Sequence, residues 1–204
     1  TNSNLSKSEI SGVGFSGQTV FHTYLKSYQI GDPQKIADNS KIDVISDFRN
    51  FDIKNGGMGA PLIPKFHQYL FGSENKKKII FNIGGIANGT YLNSNQIVLA
   101  SDVGPGNCLM DLVATKRLDS NFDLNGETAS RGNIIKNVLD MLHASCAHLD
   151  YPRADDKQDY YKILNTNLDA HQTEDLLRTL AEFTADKIFE FFHNCGSPEE
   201  VIFH

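Results

Sequence analysis

The segment KIIFNIGGIANGTYLNSNQIVLASDVGPGN, residues 78–107, decides the fold. It contains three apolar stretches typical of β-strands, at 78–84, 87–92 and 96–101. The triplet Asn93-Ser94-Asn95 supplies a turn between the second and third stretches. Because both connections are too short for a helical crossover, the strands are predicted to be antiparallel neighbours. The segment therefore predicts a three-strand meander and not a Rossmann βαβ unit.

Helical patterns follow the meander, at 107–118, 127–147 and 173–193. Asn107 and Thr173 stand where the first and last of these patterns begin, and both are good N-cap residues. Residues 149–172 are polar and irregular, with one helical turn predicted at 160–164. A final strand is predicted to begin at Val201.

The first third of the chain has a mixed pattern. Short strands are predicted at 18–22, 27–30 and 41–48, and helices at 33–38 and 61–71. Pro33 favours a helix start because its fixed φ suits the first helical position. A glycine-rich loop at 55–59 separates the third strand from the second helix. The chain is therefore predicted to be α/β.

Composition excludes several classes of protein. The 204 residues carry a net charge of -6, which argues against a nucleic-acid-binding protein. The three cysteines form no C-x-x-C pair, so a disulfide scaffold or zinc ribbon has no support and a reduced, cytoplasmic compartment is expected. No apolar run reaches the roughly 18 residues of a membrane helix. The chain opens without Met and closes on a strand that is just beginning, so we interpret it as a piece of a longer protein.

Two glycine-rich turns are the candidate ligand sites. Gly84-Gly85 removes two Cβ atoms at a strand end, so a ligand can approach the backbone there, although a tight hairpin without a ligand explains the pair equally well. Gly104-Pro105-Gly106 leads into a helix whose first N–H groups are suited to bind an anion. Asp102 precedes that turn, where a carboxylate can act as a general base, bind Mg²⁺-phosphate or merely cap the turn. Two such turns on adjacent strands favour phosphate binding, without a Walker A motif.

Arg49 is a candidate for binding a carboxylate with two hydrogen bonds, because it lies between Asp47 and Asp52. A local network of ion pairs is the alternative, and the spacing does not decide between them. The histidines lack the H-E-x-x-H spacing, so no metal-ligating residue is predicted. Cys108 is interpreted as a small buried residue, because no His–Asp constellation supports a nucleophile.

Several motifs occur in a fixed order: Gly17-Gln18-Thr19-Val20, Gln29-Ile30-Gly31-Asp32, Asp47-Phe48-Arg49, Gly59-Ala60-Pro61-Leu62, Asn82-Ile83-Gly84-Gly85-Ile86-Ala87-Asn88 and Gly104-Pro105-Gly106-Asn107. This series resembles the anhydro-N-acetylmuramic acid kinase family, of the actin/hexokinase-like sugar kinase superfamily. The resemblance covers nearly the whole chain and is densest from Gly17 to Gly126. Each motif is weak alone, and the specificity lies in their order.

The resemblance implies an actin/hexokinase-like (ribonuclease H-like) two-domain α/β kinase fold that is incomplete here. Residues 1–77 would be the later part of the first domain. Residues 78–204 would be the second domain, beginning with strand 78–84 and lacking its C-terminal portion. The implied reaction uses ATP and Mg²⁺ to convert 1,6-anhydro-N-acetylmuramic acid to N-acetylmuramic acid 6-phosphate, with hydrolytic opening of the anhydro ring, in cell-wall recycling. A cytoplasmic homodimer is also implied, with no nucleic-acid or membrane partner.

The resemblance also assigns roles to residues. Asp102 would be the general base that activates water. The cofactor-binding residues would be Gly84, Gly85, Asn88 and Gly106. The substrate-binding residues would be Arg49, Gly104 and Asn107, with Arg49 assigned by its chemistry to the lactyl carboxylate of the sugar.

The chain departs from the family pattern at several places. Ser16 replaces a usual His, Met58 interrupts a usual Gly-Gly-Gln-Gly, and Val103 replaces a usual Thr. Arg153-Ala154-Asp155-Asp156 stands where Lys-Ser-Thr-Gly is usual. The family's N-terminal Gly-Thr-Ser, Asp-Gly phosphate loop and C-terminal Gly-Gly-Gly nucleotide loop have no counterpart in these residues. The alternative prediction is therefore a non-catalytic relative or remnant that binds sugar or forms a dimer surface.

Overall fold

The structure, a computed structural model, describes residues 6–147, 150–164 and 170–204. The chain divides into two compact units, Thr1–Leu62 and Ile63–His204. The expected boundary between 77 and 78 lies inside the second unit, so the helix that precedes the meander belongs with the sheet. The assignment of 1–77 and 78–204 to the two domains of a kinase stays a prediction.

The first unit contains four short strands and two helices: β1 (Val13–Phe15), β2 (Gln18–His22), β3 (Ser27–Ile30), α1 (Pro33–Ser40), β4 (Val44–Ser46) and α2 (Phe48–Lys54). β1 pairs with β4 in parallel, and β2 pairs with β3 in antiparallel orientation. The predicted strands at 18–22 and 27–30 are confirmed. The helix from Pro33 is also confirmed, and Asp32 caps it by accepting a hydrogen bond from the Lys35 N–H at 3.1 Å.

The predicted strand at 41–48 is wrong in length. The strand covers only Val44–Ser46, because Asp47 adopts a left-handed conformation with φ 62° and ψ 33° that ends it. Asp tolerates this region better than most residues because its short polar side chain can bond locally. Helix α2, which was not predicted, starts at the next residue, Phe48.

The described residues of the second unit form a four-stranded sheet and five α-helices: α3 (Pro64–Phe71), β5 (Lys77–Ile83), β6 (Ile86–Asn93), β7 (Gln96–Pro105), α4 (Cys108–Arg117), α5 (Lys136–Cys146), α6 (Lys157–Leu164), α7 (Thr173–Asn194) and β8 (Glu200–Phe203). The strand order is β7-β6-β5-β8. β5, β6 and β7 form the predicted antiparallel meander, which is confirmed. The predicted last strand is β8, and it pairs with β5 in parallel. The structure is therefore mixed α/β, as predicted.

β7 is longer than the predicted strand at 96–101 because it continues to Pro105. Beyond Ser101 its backbone keeps pairing with β6, and the Asp102 N–H also donates a hydrogen bond to the Arg153 carbonyl at 3.0 Å. Asp102 therefore lies inside a strand and not at its end.

Two of the predicted helix starts are wrong. The helix expected at 61–71 begins at Pro64. The helix expected at 127–147 begins at Lys136, because two short 3₁₀ turns, at Leu124–Gly126 and Ala129–Arg131, occupy the preceding chain. The Asp123 carboxylate holds them by accepting hydrogen bonds from the N–H groups of Thr128 and Ala129.

The predicted caps and the predicted single turn also differ from the structure. Thr173 is the first residue of α7, and Gln172 occupies the N-cap position. Asn107 occupies the N-cap position of α4, but its side chain makes no capping bond. The single turn expected at 160–164 is the end of a full helix, α6.

One hydrophobic cluster of the second unit lies among α4, α5, α6 and α7, and another forms where α7 packs on one face of the meander. The rings of Phe81 in β5 and Phe191 in α7 meet edge to face, with centroids 5.8 Å apart, and both are fully buried. Full burial of such a side chain contributes about 1.5–3 kcal/mol. A Cβ at Gly89 would lie 2.6 Å from the Phe191 ring, so a glycine in β6 lets the helix approach. Among the described residues no helix has the length and apolarity needed to cross a bilayer.

Helix α3 docks on the opposite face of the sheet through His67. This side chain is buried, and its Nδ1 lies 2.8 Å from the Thr90 Oγ1 of β6. Its Nε2 lies 3.0 Å from the Nε2 of His204, which follows β8. Burial lowers the pKa of His67, and the nearby His204 lowers it further. The folded chain therefore favours the neutral imidazole.

We expect this histidine to make the protein less stable in mild acid. As pH falls through about 6.5, the unfolded chain binds a proton at this residue before the folded chain does, so stability present above that pH is lost below it. The His67→Gln variant is expected to show a smaller loss of unfolding free energy between pH 7.5 and 5, by at most about 1.4 kcal/mol per pH unit. Urea unfolding at both pH values measures this. The exposed His193→Gln variant is the control, and an unchanged pH slope in His67→Gln would contradict the prediction.

Candidate active site

A row of three polar residues crosses the meander near its glycine-rich turn. The strand register pairs Asn82 of β5 with Asn88 of β6, and Asn88 with Asp102 of β7. Directly opposite residues of antiparallel strands place their side chains on the same face, with Cβ atoms about 5 Å apart. Two amides and one carboxylate therefore lie side by side. Asn82 was not predicted as a site residue, although its place in strand 78–84 gives it the same phase as Ile80.

The Asp102 carboxylate is held in place and largely buried. The residue is 9% exposed, and its Oδ2 accepts a hydrogen bond from the Asp155 N–H at 2.9 Å. Its backbone is fixed on one side by β6 and on the other by Arg153. A carboxylate with so little freedom can act on a bound substrate without first being ordered.

Asn88 offers an acceptor atom that none of the described residues uses. Its Oδ1 is buried and accepts no hydrogen bond from the described residues. Leaving a buried acceptor unsatisfied costs about 1–3 kcal/mol. An oxygen of this kind suits a hydroxyl group, a water molecule or a hard cation such as Mg²⁺. The cofactor contact predicted for Asn88 stays a prediction.

A β-bulge in β7 separates Asp102 from Gly104. Asp102 is opposite Asn88 while Gly104 is opposite Ala87, so Val103 is the extra residue. The two residues consequently face opposite sides of the sheet. A Cβ at Gly104 would lie 3.1 Å from Cγ of Lys187 in α7, which explains the glycine without a ligand. The substrate contact predicted for Gly104 stays a prediction.

The N–H groups of residues 106–108, which lead into α4, are not open to an anion as the sequence suggested. The Asn107 N–H donates to the Gly84 carbonyl at 2.8 Å. The Gly106 and Cys108 N–H groups donate to the Gly85 carbonyl at 3.0 and 3.1 Å. These three donors are therefore engaged within the protein.

The same contact determines how the Gly84-Gly85 turn faces its surroundings. A trans peptide is planar and points its N–H away from its C=O. Because the Gly84 carbonyl points at the start of α4, the Gly85 N–H points away from that helix, and it donates no hydrogen bond to the described residues. Neither glycine has a left-handed φ, and a Cβ would meet nothing closer than 3.5 Å at Gly84 or 3.9 Å at Gly85. Internal packing therefore does not require these glycines, whereas an approaching ligand would benefit from them.

Gly106 and Asn107 have clear structural roles in this turn. A Cβ at Gly106 would lie 2.2 Å from the Gly84 carbonyl oxygen, so no larger residue fits. The Asn107 Nδ2 donates a hydrogen bond to the Ile83 carbonyl at 3.3 Å. Their predicted contacts with nucleotide and sugar stay predictions.

Arg49 lies in the Thr1–Leu62 unit, and all other predicted site residues lie in the second unit. Arg49 and Asp52 lie one helical turn apart on α2, and their side chains bind the carbonyl and the N–H group of the loop residue Gly59. The Arg49 Nη1 donates to the Gly59 carbonyl at 2.7 Å, and the Asp52 Oδ2 accepts from the Gly59 N–H at 2.8 Å. Both side chains therefore bind the Gly59 backbone, and the carboxylate contact and the local ion-pair network both stay predictions.

Cys108 is buried, as interpreted from the sequence, and burial raises the pKa of its thiol to about 11. The thiol is therefore protonated at neutral pH and is a poor nucleophile. Within the described part of the chain, no group of three or more His, Cys, Asp or Glu side chains is arranged to hold a metal ion.

The sequence matches a known protein family. Residues 1–203 match the family described as "Anhydro-N-acetylmuramic acid kinase". The chain belongs to this family. The match covers both compact units, including Arg49 in the first and the polar row in the second.

Curated relatives carry the same family name. One from Gamma-proteobacterium EBAC31A08 is 38% identical over 200 residues, which is 95% of this chain and 55% of the relative. One from Shewanella denitrificans is 41% identical over 195 residues, or 91% of this chain and 53% of the relative. One from Shewanella pealeana is 48% identical over 144 residues, or 68% of this chain and 39% of the relative. The chain thus spans about half the length of the curated relatives it matches.

The two glycine positions of the turn should respond differently to an added methyl group. Gly106→Ala is expected to lower the unfolding free energy by about 2–3 kcal/mol, because its Cβ would collide with a backbone carbonyl that cannot move away. Gly85→Ala is expected to stay within about 1 kcal/mol of the wild type, because that position is open. Urea unfolding of both variants measures the contrast. Equal losses would show that the turn packs differently from the structure.

Proposed function

We propose that the complete protein containing this chain is a kinase that uses ATP to convert 1,6-anhydro-N-acetylmuramic acid to N-acetylmuramic acid 6-phosphate. Family membership supports the reaction. The single structural observation that supports its assignment to residues is the buried Asp102 carboxylate, which is fixed in position beside Asn88. The proposal includes the actin/hexokinase-like fold, with 1–77 and 78–204 in its two domains. It also includes a cytoplasmic homodimer.

Asp102 acts as the general base in this proposal. It takes a proton from a water molecule whose oxygen attacks the anomeric carbon of the sugar. The bond from that carbon to O6 breaks, and O6 takes the γ-phosphoryl group as ADP leaves. A carboxylate fixed against its substrate suits this task, because general-base catalysis requires hydrogen-bond reach to one particular proton. The burial of Asp102 also excludes competing water.

The Gly84-Gly85 turn binds the phosphate side of the nucleotide. The outward Gly85 N–H supplies one hydrogen-bond donor, and the missing Cβ atoms let phosphate oxygens approach the backbone. Mg²⁺, which accompanies ATP, would neutralise phosphate charge when bound, and the Asn88 Oδ1, which accepts no hydrogen bond from the described residues, would offer it an oxygen ligand of the kind that it prefers. Gly106 and Asn107 shape this turn through their contacts with Gly84 and Ile83.

A coupled assay of ADP release tests the proposed reaction. The complete protein is expected to release ADP with the 1,6-anhydro sugar and not with ordinary N-acetylmuramic acid, which has no anhydro bond to open. Equal rates with both sugars would indicate an ordinary sugar kinase. Sugar binding without ADP release would instead support the non-catalytic alternative.

Asp102→Asn is expected to lower kcat by at least about 10³-fold while the Kd for ATP changes by less than about 3-fold, because an amide cannot accept the proton. ADP release measures the first quantity and nucleotide titration the second. Asp119→Asn is the matched control, since Asp119 is exposed and has a left-handed φ of 52° that Asn also tolerates. Turnover at the wild-type rate in Asp102→Asn would refute the general-base assignment.

Arg49 is proposed to bind the lactyl carboxylate, and paired substrates test this without depending on stability. Arg49→Ala is expected to lower kcat/KM for the anhydro sugar by about 10-fold or more, since charge-assisted hydrogen bonds contribute strongly to binding. For the corresponding anhydro sugar without the lactyl group, the loss should be much smaller. If both substrates lose the same factor, Arg49 serves only to hold the Gly59 loop.

A further inference from the structure

The segment after α5 contains a buried ion pair directly beside the proposed base. The Arg153 Nε lies 2.9 Å from Oδ1 and 3.1 Å from Oδ2 of Asp155. Their side chains are 8% and 7% exposed. The Tyr160 hydroxyl, which reaches in from α6, donates to the Asp155 Oδ2 at 2.7 Å. Three polar groups with little access to water therefore satisfy one another.

Arg153 also forms hydrogen bonds with three successive residues of β7, Ser101, Asp102 and Val103. Its N–H donates to the Ser101 Oγ at 2.8 Å, and its carbonyl accepts from the Asp102 N–H at 3.0 Å. Its guanidinium donates to the Val103 carbonyl through Nη2. The Tyr151 ring lies 4.7 Å below the guanidinium carbon. The position of Arg153 relative to the strand is therefore fixed by its backbone and by its side chain.

Because Asp155 is bound to Arg153 in the ion pair, Asp155 is held in a fixed position as well. The backbone N–H of Asp155 is the donor to the Asp102 Oδ2, at 2.9 Å. Its direction depends on the orientation of the Asp155 residue, which the carboxylate contacts with Arg153 and Tyr160 determine. Burial disfavours the Arg153 charge, but Asp155 opposes it strongly enough that the pKa of Arg153 is raised. The Arg153 guanidinium is therefore held in its charged form.

We propose that the Arg153–Asp155 ion pair, closed by Tyr160, positions the Asp102 carboxylate for catalysis. Asp155 is a positioning residue, because it acts through Asp102 and not on the substrate. The inference rests on the proposed function, since it requires Asp102 to be the base. It also gives a role to the segment where the chain departs from the family pattern.

Asp155→Asn in the complete protein is the first test. It leaves a buried guanidinium facing a neutral amide and loosens the donor to Asp102. We expect kcat to fall about 10–100-fold while KM for sugar and for ATP changes by less than about 3-fold. Asp156→Asn is the control, because the hydrogen bond that the Asp156 side chain accepts from the Gln158 N–H among the described residues can also be accepted by Asn. It is expected to keep kcat within about 2-fold.

Tyr160→Phe provides a milder variant that keeps the ion pair and the ring. It removes only the hydroxyl bound to Asp155, so the protein is expected to fold, and kcat should fall about 3–10-fold. Tyr161→Phe is the matched control at the next residue and is expected to leave kcat within about 2-fold. Circular dichroism at the assay temperature checks that each variant is folded.

A double variant separates positioning from general damage. If Asp155 acts through Asp102, adding Asp155→Asn to Asp102→Asn should lower the residual rate by less than about 2-fold, because the interaction is already lost. The inference is overturned if, with an active wild type, the folded Asp155→Asn and Tyr160→Phe variants both keep the wild-type kcat. It is also overturned if Asp155→Asn costs the same factor with and without Asp102. An inactive wild type would instead refute the proposed function itself.

Discussion

The contact between the start of α4 and the Gly84-Gly85 turn is the constraint on which the candidate site depends. Three consecutive N–H groups, of residues 106–108, donate to two carbonyl groups, and the chain can approach so closely only because Gly106 has no side chain. This contact joins the end of β7 to the connection between β5 and β6. Since each peptide is planar, engaging the Gly84 carbonyl also turns the Gly85 N–H outward. The same set of backbone hydrogen bonds thus joins these two segments and turns the Gly85 N–H donor outward.

The meander keeps its core with α7 and its polar row on opposite faces. On one face Phe81, Val103 and Phe191 form an apolar core with α7. On the other face lie the amides and carboxylate of the polar row, with an unsatisfied acceptor at Asn88. The bulge at Val103 makes this separation possible within one strand, because it turns Gly104 toward α7 while Asp102 stays with Asn88. The cost of the polar row is therefore offset by packing that does not compete with it for space.

The sequence was informative wherever local pattern decides structure. Short connections and apolar runs predicted the meander, and Pro33 predicted the start of α1. The extension of β7 to Pro105 was missed, because a bulge at Val103 and a Gly-Pro-Gly sequence hide the continued pairing with β6. The hydrogen bonds of the N–H groups of residues 106–108 could not be predicted either, since the same glycine pattern can bind an anion or a carbonyl group. Asn82 was within reach, because strand phase alone places it on the face of the polar row.

The departure at 153–156 illustrates why side-chain identity and backbone function need separate arguments. The donor to Asp102 at this segment is a backbone N–H, which every residue except proline possesses. Replacing the usual Lys-Ser-Thr-Gly therefore does not remove the contact. The side chains must instead hold the backbone in the right direction. Here a buried ion pair between Arg153 and Asp155 does so, and a buried pair tolerates the loss of either partner poorly, so the orientation of the Asp102 carboxylate depends on both.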